Sequence, residues 1–456
     1  MEKSIVIAAI FHVTDEVGDG FGALLIEQFD LDRAKGGAKL GQCSTPGGDG
    51  PPRDQKPTCK RHLVTVHARQ WPARVESGLD HRGIERFLRP MSALDLSRLQ
   101  VRPLAERRTL TRLADKLLPL SAPPPPVNDL VIRTAAEAAT RIRAARERGA
   151  AVILMYGAHL IRNGTQHFLI DLLERGLVTH LATNGAGTIH DWEYAWLGGS
   201  LEGVEENVAA GTFGTWNETG RTTHLALLAG ALQGLGYGAS LGKFIQEDGC
   251  TLPDPETLAP MIAQFAGDPL APACAELLTE MARFDLAAGR HEIIHPGKST
   301  SMLATAWRLG RGFTVHPGIG YDIVACHPMF NGAVIGRAAG EDFRQFAGAV
   351  EQLDGGVVLS IGSAIMAPQV FEKSLSCVHN LRFQDGRSPV QGHTIYVVDL
   401  QDGGGWDWAQ GEPPKESAAY YLRFCKSFSR MGGDMRYVQS DNAAFIQHLH
   451  HHLAGV

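Results

Sequence analysis

The chain has 456 residues, of which 44% are apolar and 20% charged, and this excludes a wholly disordered, collagen-like or coiled-coil protein. A formal net charge of −6 leaves no broad basic field for non-specific nucleic-acid binding, and no run of about 18 apolar residues offers a membrane span. Seven cysteines scattered along the chain make no disulfide framework, so reduced thiols and a cytoplasmic location are expected.

Residues 1–90 show no sustained period and contain the Gly/Pro-rich stretch GQCSTPGGDGPPRDQKPTCK. They read as a poorly ordered or atypical N-terminal extension. The apolar run SIVIAAIFHV near the start is short and is followed by acidic residues, which argues against a signal peptide. From Met91 the texture becomes amphipathic, and SAPPPPVNDL (121–130) is a polyproline-like spacer. Residues 91–130 are therefore read as a helical arm with a Pro-rich linker. Residues 131–456 are read as the main domain.

That domain alternates helix and strand. Helix 133–149 ends at a glycine. Strand 151–157, helix 163–176 and strand 177–182 follow, then the loop TNGAGTIHDWE (183–193). A helical middle section covers about 200–285. Helix 299–310, strand 313–318, helix 341–353 and strand 355–363 come next. Helix 368–375, strand 393–400, helix 416–430, strand 435–439 and helix 441–453 complete the chain. Such alternation predicts an α/β fold: a Rossmann-like, doubly wound, mostly parallel sheet with helices on both faces. In these sheets ligands sit beyond the carboxyl ends of the strands.

The loops at those ends hold the candidate residues. Gly185, Ala186 and Gly187 let a ligand approach the backbone, and the helix behind them favours phosphate. They are not a G-x-G-x-x-G fingerprint, and taken alone they read first as a tight βα turn. Asp399 and Asp441 stand at strand ends, where a carboxylate takes ribose hydroxyls or caps a helix; Asp441 looks like an N-cap. His159, His190, His316 and His327 fall at four loop tips. No Cys-x-x-Cys supports zinc, and no metal is expected. Asp402, Asp407, Glu412 and Glu416 surround Trp406 and Trp408, which suits a cationic, partly aliphatic ligand such as a polyamine; the plain reading is a solvated loop. Lys426, among Phe424 and other apolar neighbours, is either a desolvated amine available for imine formation or a lysine snorkelling from a packed helix.

In this order the loops resemble the deoxyhypusine synthase family over about residues 95–450. GAHLIRNG (157–164), NGAGTIHD (184–191), DIVACH (322–327), IYVVDLQDG (395–403), PKE (414–416), FCK (424–426) and QSDNAAF (439–445) stand where that family has its site motifs. The resemblance implies that residues 131–456 form an NAD-binding catalytic domain. His159, Leu160 and Asn163 would lie against NAD; Asn184, Gly185 and Ala186 would cradle it. Asp399 and Asp441 would contact its sugar or adenine end. His327 would be the acid/base. Asp402, Asp407 and Glu416, with Trp406, would hold polyamine nitrogens. Lys426 would form the covalent imine. The sequence departs from the family at Phe424 and Cys425, and where the family's paired glutamates become Ile189 and His190.

The implied reaction is NAD-dependent aminobutyl transfer from spermidine to a protein lysine or putrescine, by a homo-oligomer (dimer or tetramer); the apolar stretch LALLAGALQGLGYGASLGKFI (225–245) reads first as buried core and otherwise as a contact surface. Two other classes stay open: another NAD-assisted amine or amino-acid enzyme, such as a cyclodeaminase, and an NAD-binding module without turnover.

Overall fold

Six short β-branched and apolar runs form the central sheet of a computed structural model that describes residues 94–454, apart from 265, 266 and 269. The extension read over 1–90 lies outside the described residues. The strands are β1 (Val152–Tyr156), β2 (His180–Thr183), β3 (Gly312–Val315), β4 (Val357–Ile361), β5 (Thr394–Asp399) and β6 (Asp434–Gln439). All neighbours pair in parallel, in the order β6-β5-β4-β1-β2-β3. The chain winds outward from β1 to one edge, returns to the centre, and winds outward from β4 to the other. This is the doubly wound dinucleotide-binding order, with its switch point between β1 and β4.

Apolar side chains on both strand faces create two cores. Val152, Leu154 and Tyr156 of β1 face one, together with Val131, Ala135 and Ile142 of helix α1 (Asp129–Glu147). Ile153 and Met155 face the other, with Phe346 and Val350 from one long helix and Phe371 and Leu375 from another. Helices therefore cover both faces, as the alternating pattern required. The remaining helices that matter to the site are α2 (Gln166–Glu174), α3 (Gly185–Leu197), α4 (Asn217–Ala231), α5 (Tyr237–Gln246), α6 (Met302–Leu309), α7 (Gly332–Glu351), α8 (Met366–Gln384) and α9 (Asn442–Ala454).

Several elements differ from the sequence reading. The loop read over 183–193 is largely helix α3, because Asn184 and a distant carboxylate cap its start. Helix α7 runs well upstream of 341; Gly332, Gly336 and Gly340 lower its intrinsic propensity, and tertiary packing overrides them. The helix read over 416–430 is broken into 3-10 turns at Ala418–Tyr421 and Phe428–Arg430 with one α turn at Arg423–Lys426. Its buried residues, Ala419, Phe424, Cys425 and Phe428, do not trace one continuous helical stripe. The arm before 120 is not helical either. Thr111–Arg112 pairs with Gly199–Ser200, and 3-10 turns at Leu104–Glu106 and Leu113–Asp115 flank that strand. Among the described residues no helix is long and apolar enough to cross a membrane.

Candidate functional site

The loops that leave β1 and β4 meet at the switch point through bare backbone, and the Asn442 side chain at the start of α9 reaches them. The Gly157 amide donates to the Ile361 carbonyl at 3.0 Å. A Cβ on Gly157 would lie 2.0 Å from the Gly362 oxygen, so no side chain fits there. Gly362 has φ +60°, and a Cβ on it would lie 2.3 Å from Asn442 Nδ2. Only glycine meets both the positive φ and the close approach. The Oδ1 of Asn442 is buried without a hydrogen-bond partner. Helix α8 begins from Ile365 with no side-chain cap, and Ser363 Oγ accepts from the Ala367 amide at 3.3 Å. Ile365, Leu400, Ile319 and Tyr321 stand exposed on the loops after β4, β5 and β3. Bare glycine backbone, an open helix start and exposed apolar flanks suit a pyrophosphate with a flat ring on either side.

The start of α3, where the sequence reading puts a cofactor cradle, is already filled. The Asn184 side chain accepts from the Gly187 amide at 3.1 Å. The Asp322 carboxylate accepts from the amides of Gly318, Gly185 and Ala186. Burial pushes Asp322 up to about 6 against these hydrogen bonds. The anion that the helix N-terminus attracts is thus the protein's own.

Beside the switch point, the helical turn His159–Arg162 packs against α3. His159 and Arg162 are exposed, with Arg162 Nη1 3.4 Å from His159 Nε2. Leu160 is fully buried core, and Asn163 ends the turn. On α3, His190 Nδ1 lies 2.7 Å from Ser200 Oγ, and Ser200 donates to Glu193 Oε2. Glu193 also accepts both terminal nitrogens of Arg107, each at 2.8 Å, and Thr219 Oγ1 at 2.9 Å. Burial lowers His190 to about 4; Glu193 opposes this, while Arg107, Arg162 and His159 add to it.

His327 occupies a different place. It packs against α4, in a gap left by Gly220, whose Cβ would lie 2.5 Å from the ring. Its Nδ1 accepts from the Met329 amide at 3.1 Å, and its ring stacks on His224 with centroids 6.2 Å apart. Burial, followed by His224 and Arg221, lowers His327 to about 4, so it is a neutral imidazole. His316 bonds Thr314 at 3.2 Å and packs on Phe346, which makes it a core residue.

The acidic loop after β5 is tied to itself. Asp402 accepts from the Gly404 amide at 2.6 Å and Asp407 from the Ala409 amide at 3.1 Å. Trp406 and Trp408 donate to the Gly411 and Gly403 carbonyls, each at 3.0 Å. Glu416 is exposed, and Asp399 accepts from the Gln401 amide at 3.1 Å. Lys426 Nζ lies 3.6 Å from Glu412 Oε1 and 3.0 Å from the centre of the Tyr420 ring. Its charge is therefore held by a carboxylate and a π face. Asp441 accepts from the Ala444 amide at 2.9 Å, the N-cap that its position suggests.

His159 and Arg162 thus stand on the turn after β1, Lys426 stands on the loop after β5 against Glu412 and Tyr420, and His327 lies against α4 and His224. Sequence reasoning missed Arg107, Arg162, Glu193 and Ser200. Arg107 and Glu193 are 86 positions apart, and no local pattern announces their pairing.

No family model matches the chain, and no curated protein matches it. Among solved structures, it is similar to AgrE in a ternary complex with ornithine and NAD+, at 14% identity and TM-score 0.37, over 72% of this chain and 34% of that one. It is similar to ArgZ, an arginine dihydrolase from the ornithine-ammonia cycle in Cyanobacteria, at 13% identity and TM-score 0.32, over 72% and 33%. It is also similar to a conserved putative LOR/SDH protein from Methanococcus maripaludis S2, at 14% identity and TM-score 0.36, over 73% and 71%. The chain spans about a third of the length of AgrE and ArgZ. The fold assignment stands on the sheet itself. These neighbours are not deoxyhypusine synthases, and the resemblance to that family is corrected. Aminobutyl transfer from spermidine, which rested on it, is left without support. The short motifs matched glycine turns and helix caps, which doubly wound sheets use repeatedly at their strand ends.

Proposed function

We propose that this chain is an NAD-assisted enzyme acting on an amino acid at the β1/β4 switch point. The observation that carries the reading is the all-parallel order β6-β5-β4-β1-β2-β3, with Gly157 and Gly362 in backbone contact at its centre. Gly157, Gly362 and Ser363 would hold the pyrophosphate. Ile365 and Leu400 would flank a ring, and Asn442 and Asp399 would meet sugar hydroxyls. When bound, NAD accepts hydride from the carbon that carries the amine.

The remaining work belongs to side chains of this chain. Arg162 is exposed and points its guanidinium toward His159, with no carboxylate partner among the described residues. A guanidinium so placed takes a substrate carboxylate in a two-pronged contact. The acidic loop, with Asp402 and Glu416 exposed, favours a second, cationic end.

The test is calorimetry with NAD, followed by NADH formation from basic L-amino acids. Binding of NAD by the folded protein, with turnover that Arg162→Ala slows by raising KM, is the expected result. Folded protein that binds no NAD overturns the reading.

A further inference from the structure

Residues around His190 form a hydrogen-bonded chain that fixes which ring nitrogen carries the proton. A serine hydroxyl has one proton to give. Ser200 gives it to Glu193 Oε2, a carboxylate that cannot donate in return. Ser200 Oγ can then only accept from its other neighbour, His190 Nδ1, at 2.7 Å. The proton of the neutral imidazole therefore sits on Nδ1, and Nε2 presents a lone pair. Among the described residues Nε2 has no hydrogen-bond partner, and the side chain is half-buried rather than sealed.

The anchor behind this chain is rigid. Glu193 and Ser200 are fully buried, and Arg107 is nearly so. The carboxylate accepts four hydrogen bonds, two from Arg107 and one each from Thr219 and Ser200. Arg107 arrives from the arm before α1, and Ser200 from the strand that pairs with that arm. A segment that packs against α3 from outside the sheet thus reaches in to orient one histidine. The charged and titratable groups facing the ring are Glu193 and Tyr194 on α3, His159 and Arg162 on the turn after β1, and Arg107 on the arm. His159 and Arg162 place the ring beside the switch point.

We propose that His190 is the catalytic base of this site, taking the substrate's amine proton on Nε2, and that Ser200, Glu193 and Arg107 are its positioning residues. This rests on the reading above. The balance is simple. As the carbon gives up hydride, its bond to nitrogen becomes double and one N–H bond breaks; that proton forms a new bond to Nε2. The imidazolium keeps its Nδ1–H on Ser200, and Glu193 steadies the positive charge through the hydroxyl. Burial and the neighbouring cations keep the ring neutral, hence able to accept, at neutral pH.

The experiment is imidazole nitrogen NMR of the full chain, with the His190 signal assigned by its loss in His190→Gln. The expected spectrum at neutral pH is the Nδ1–H tautomer, shifting toward Nε2–H in Ser200→Ala. An Nε2–H tautomer in the parent, or a tautomer ratio unmoved by Ser200→Ala, overturns the proposal. Glu193→Gln is a harsher variant, and Ser200→Ala keeps the test open if it fails to fold. In the turnover assay with basic L-amino acids, His190→Gln should lower NADH formation about 100-fold or more. NADH formation by His190→Gln at the parent rate also overturns it. Absence of NAD binding in calorimetry instead overturns the reading under Proposed function, while the tautomer result still decides the relay.

Discussion

Gly185 leaves room for the carboxylate of Asp322, whose Oδ2 would lie 2.5 Å from any Cβ placed there. The pair closes the N-terminus of α3 from within the protein. Two other buried aspartates do the same elsewhere. Asp191 accepts from Ser301 and from the Met302 and Leu303 amides at the start of α6. Asp342 on α7 accepts from Gly238 at the start of α5 and from Val315 of β3. Each cap joins elements distant in sequence, so helix starts here also set tertiary position.

Asp322→Ala should therefore cost about 1–3 kcal/mol, the range for leaving buried donors without an acceptor. Gly185→Ala should cost a similar amount, about 1–3 kcal/mol, by forcing a methyl into the carboxylate. Chemical denaturation of both variants checks this, and the double variant should fall short of the sum because the two residues touch.

The pH dependence of stability has two opposing parts. Burial holds His180 at about 3 and His224, His295, His316, His327 and His393 at about 4, below the 6.5 of a free imidazole. Groups depressed in the folded state contribute stability that is present above 6.5 and lost as pH falls toward 4. Asp191 and Asp322 are raised to about 6 and Asp342 to about 8, from 3.8. Their contribution is present below 3.8 and lost as pH rises through those values. The histidines are more numerous, so the melting temperature should drop between pH 6.5 and 4. Above 6.5 a shallow decline toward pH 8 should remain, owed to Asp342.

Asp342→Asn tests that last term. Both the Gly238 and Val315 amides donate to a single oxygen, Oδ2, so an asparagine oxygen can keep both. The variant should fold, and its melting temperature should lose the decline between pH 6.5 and 8 that the parent shows. A parent curve already flat there would contradict the assignment.

Arg107→Ala strips the carboxylate of Glu193 of its charge partner in a fully buried setting. A destabilisation of roughly 3–5 kcal/mol is expected, as for other buried pairs broken on one side. Arg107→Met, which fills the space without a charge, should recover little, because Glu193 stays unpaired.

Lys426→Ala removes a cation held by Glu412 and the Tyr420 ring. The expected loss is about 1 kcal/mol, with NAD binding unchanged, read by denaturation and calorimetry.

Much of this protein was legible in the sequence because its signals are local. Runs such as AVILMYG and GGVVLSIGS, and the helices between them, announce the parallel sheet; Asp441 announces a helix start by its place before NAAF. Strand ends follow, and with them the loops where chemistry belongs. Only the tertiary structure decided which of those loops meet. Gly157 and Gly362 come together because β1 and β4 are neighbours, a pairing set by the winding order. Asp322 fills the α3 cap, which leaves Gly185 no free amide for a cofactor. Arg107 finds Glu193 across 86 residues, and Lys426 finds Glu412 instead of an open cleft. Backbone propensity and apolar period are written in neighbouring residues, whereas the partner of a buried charge is whichever group the packing brings within reach.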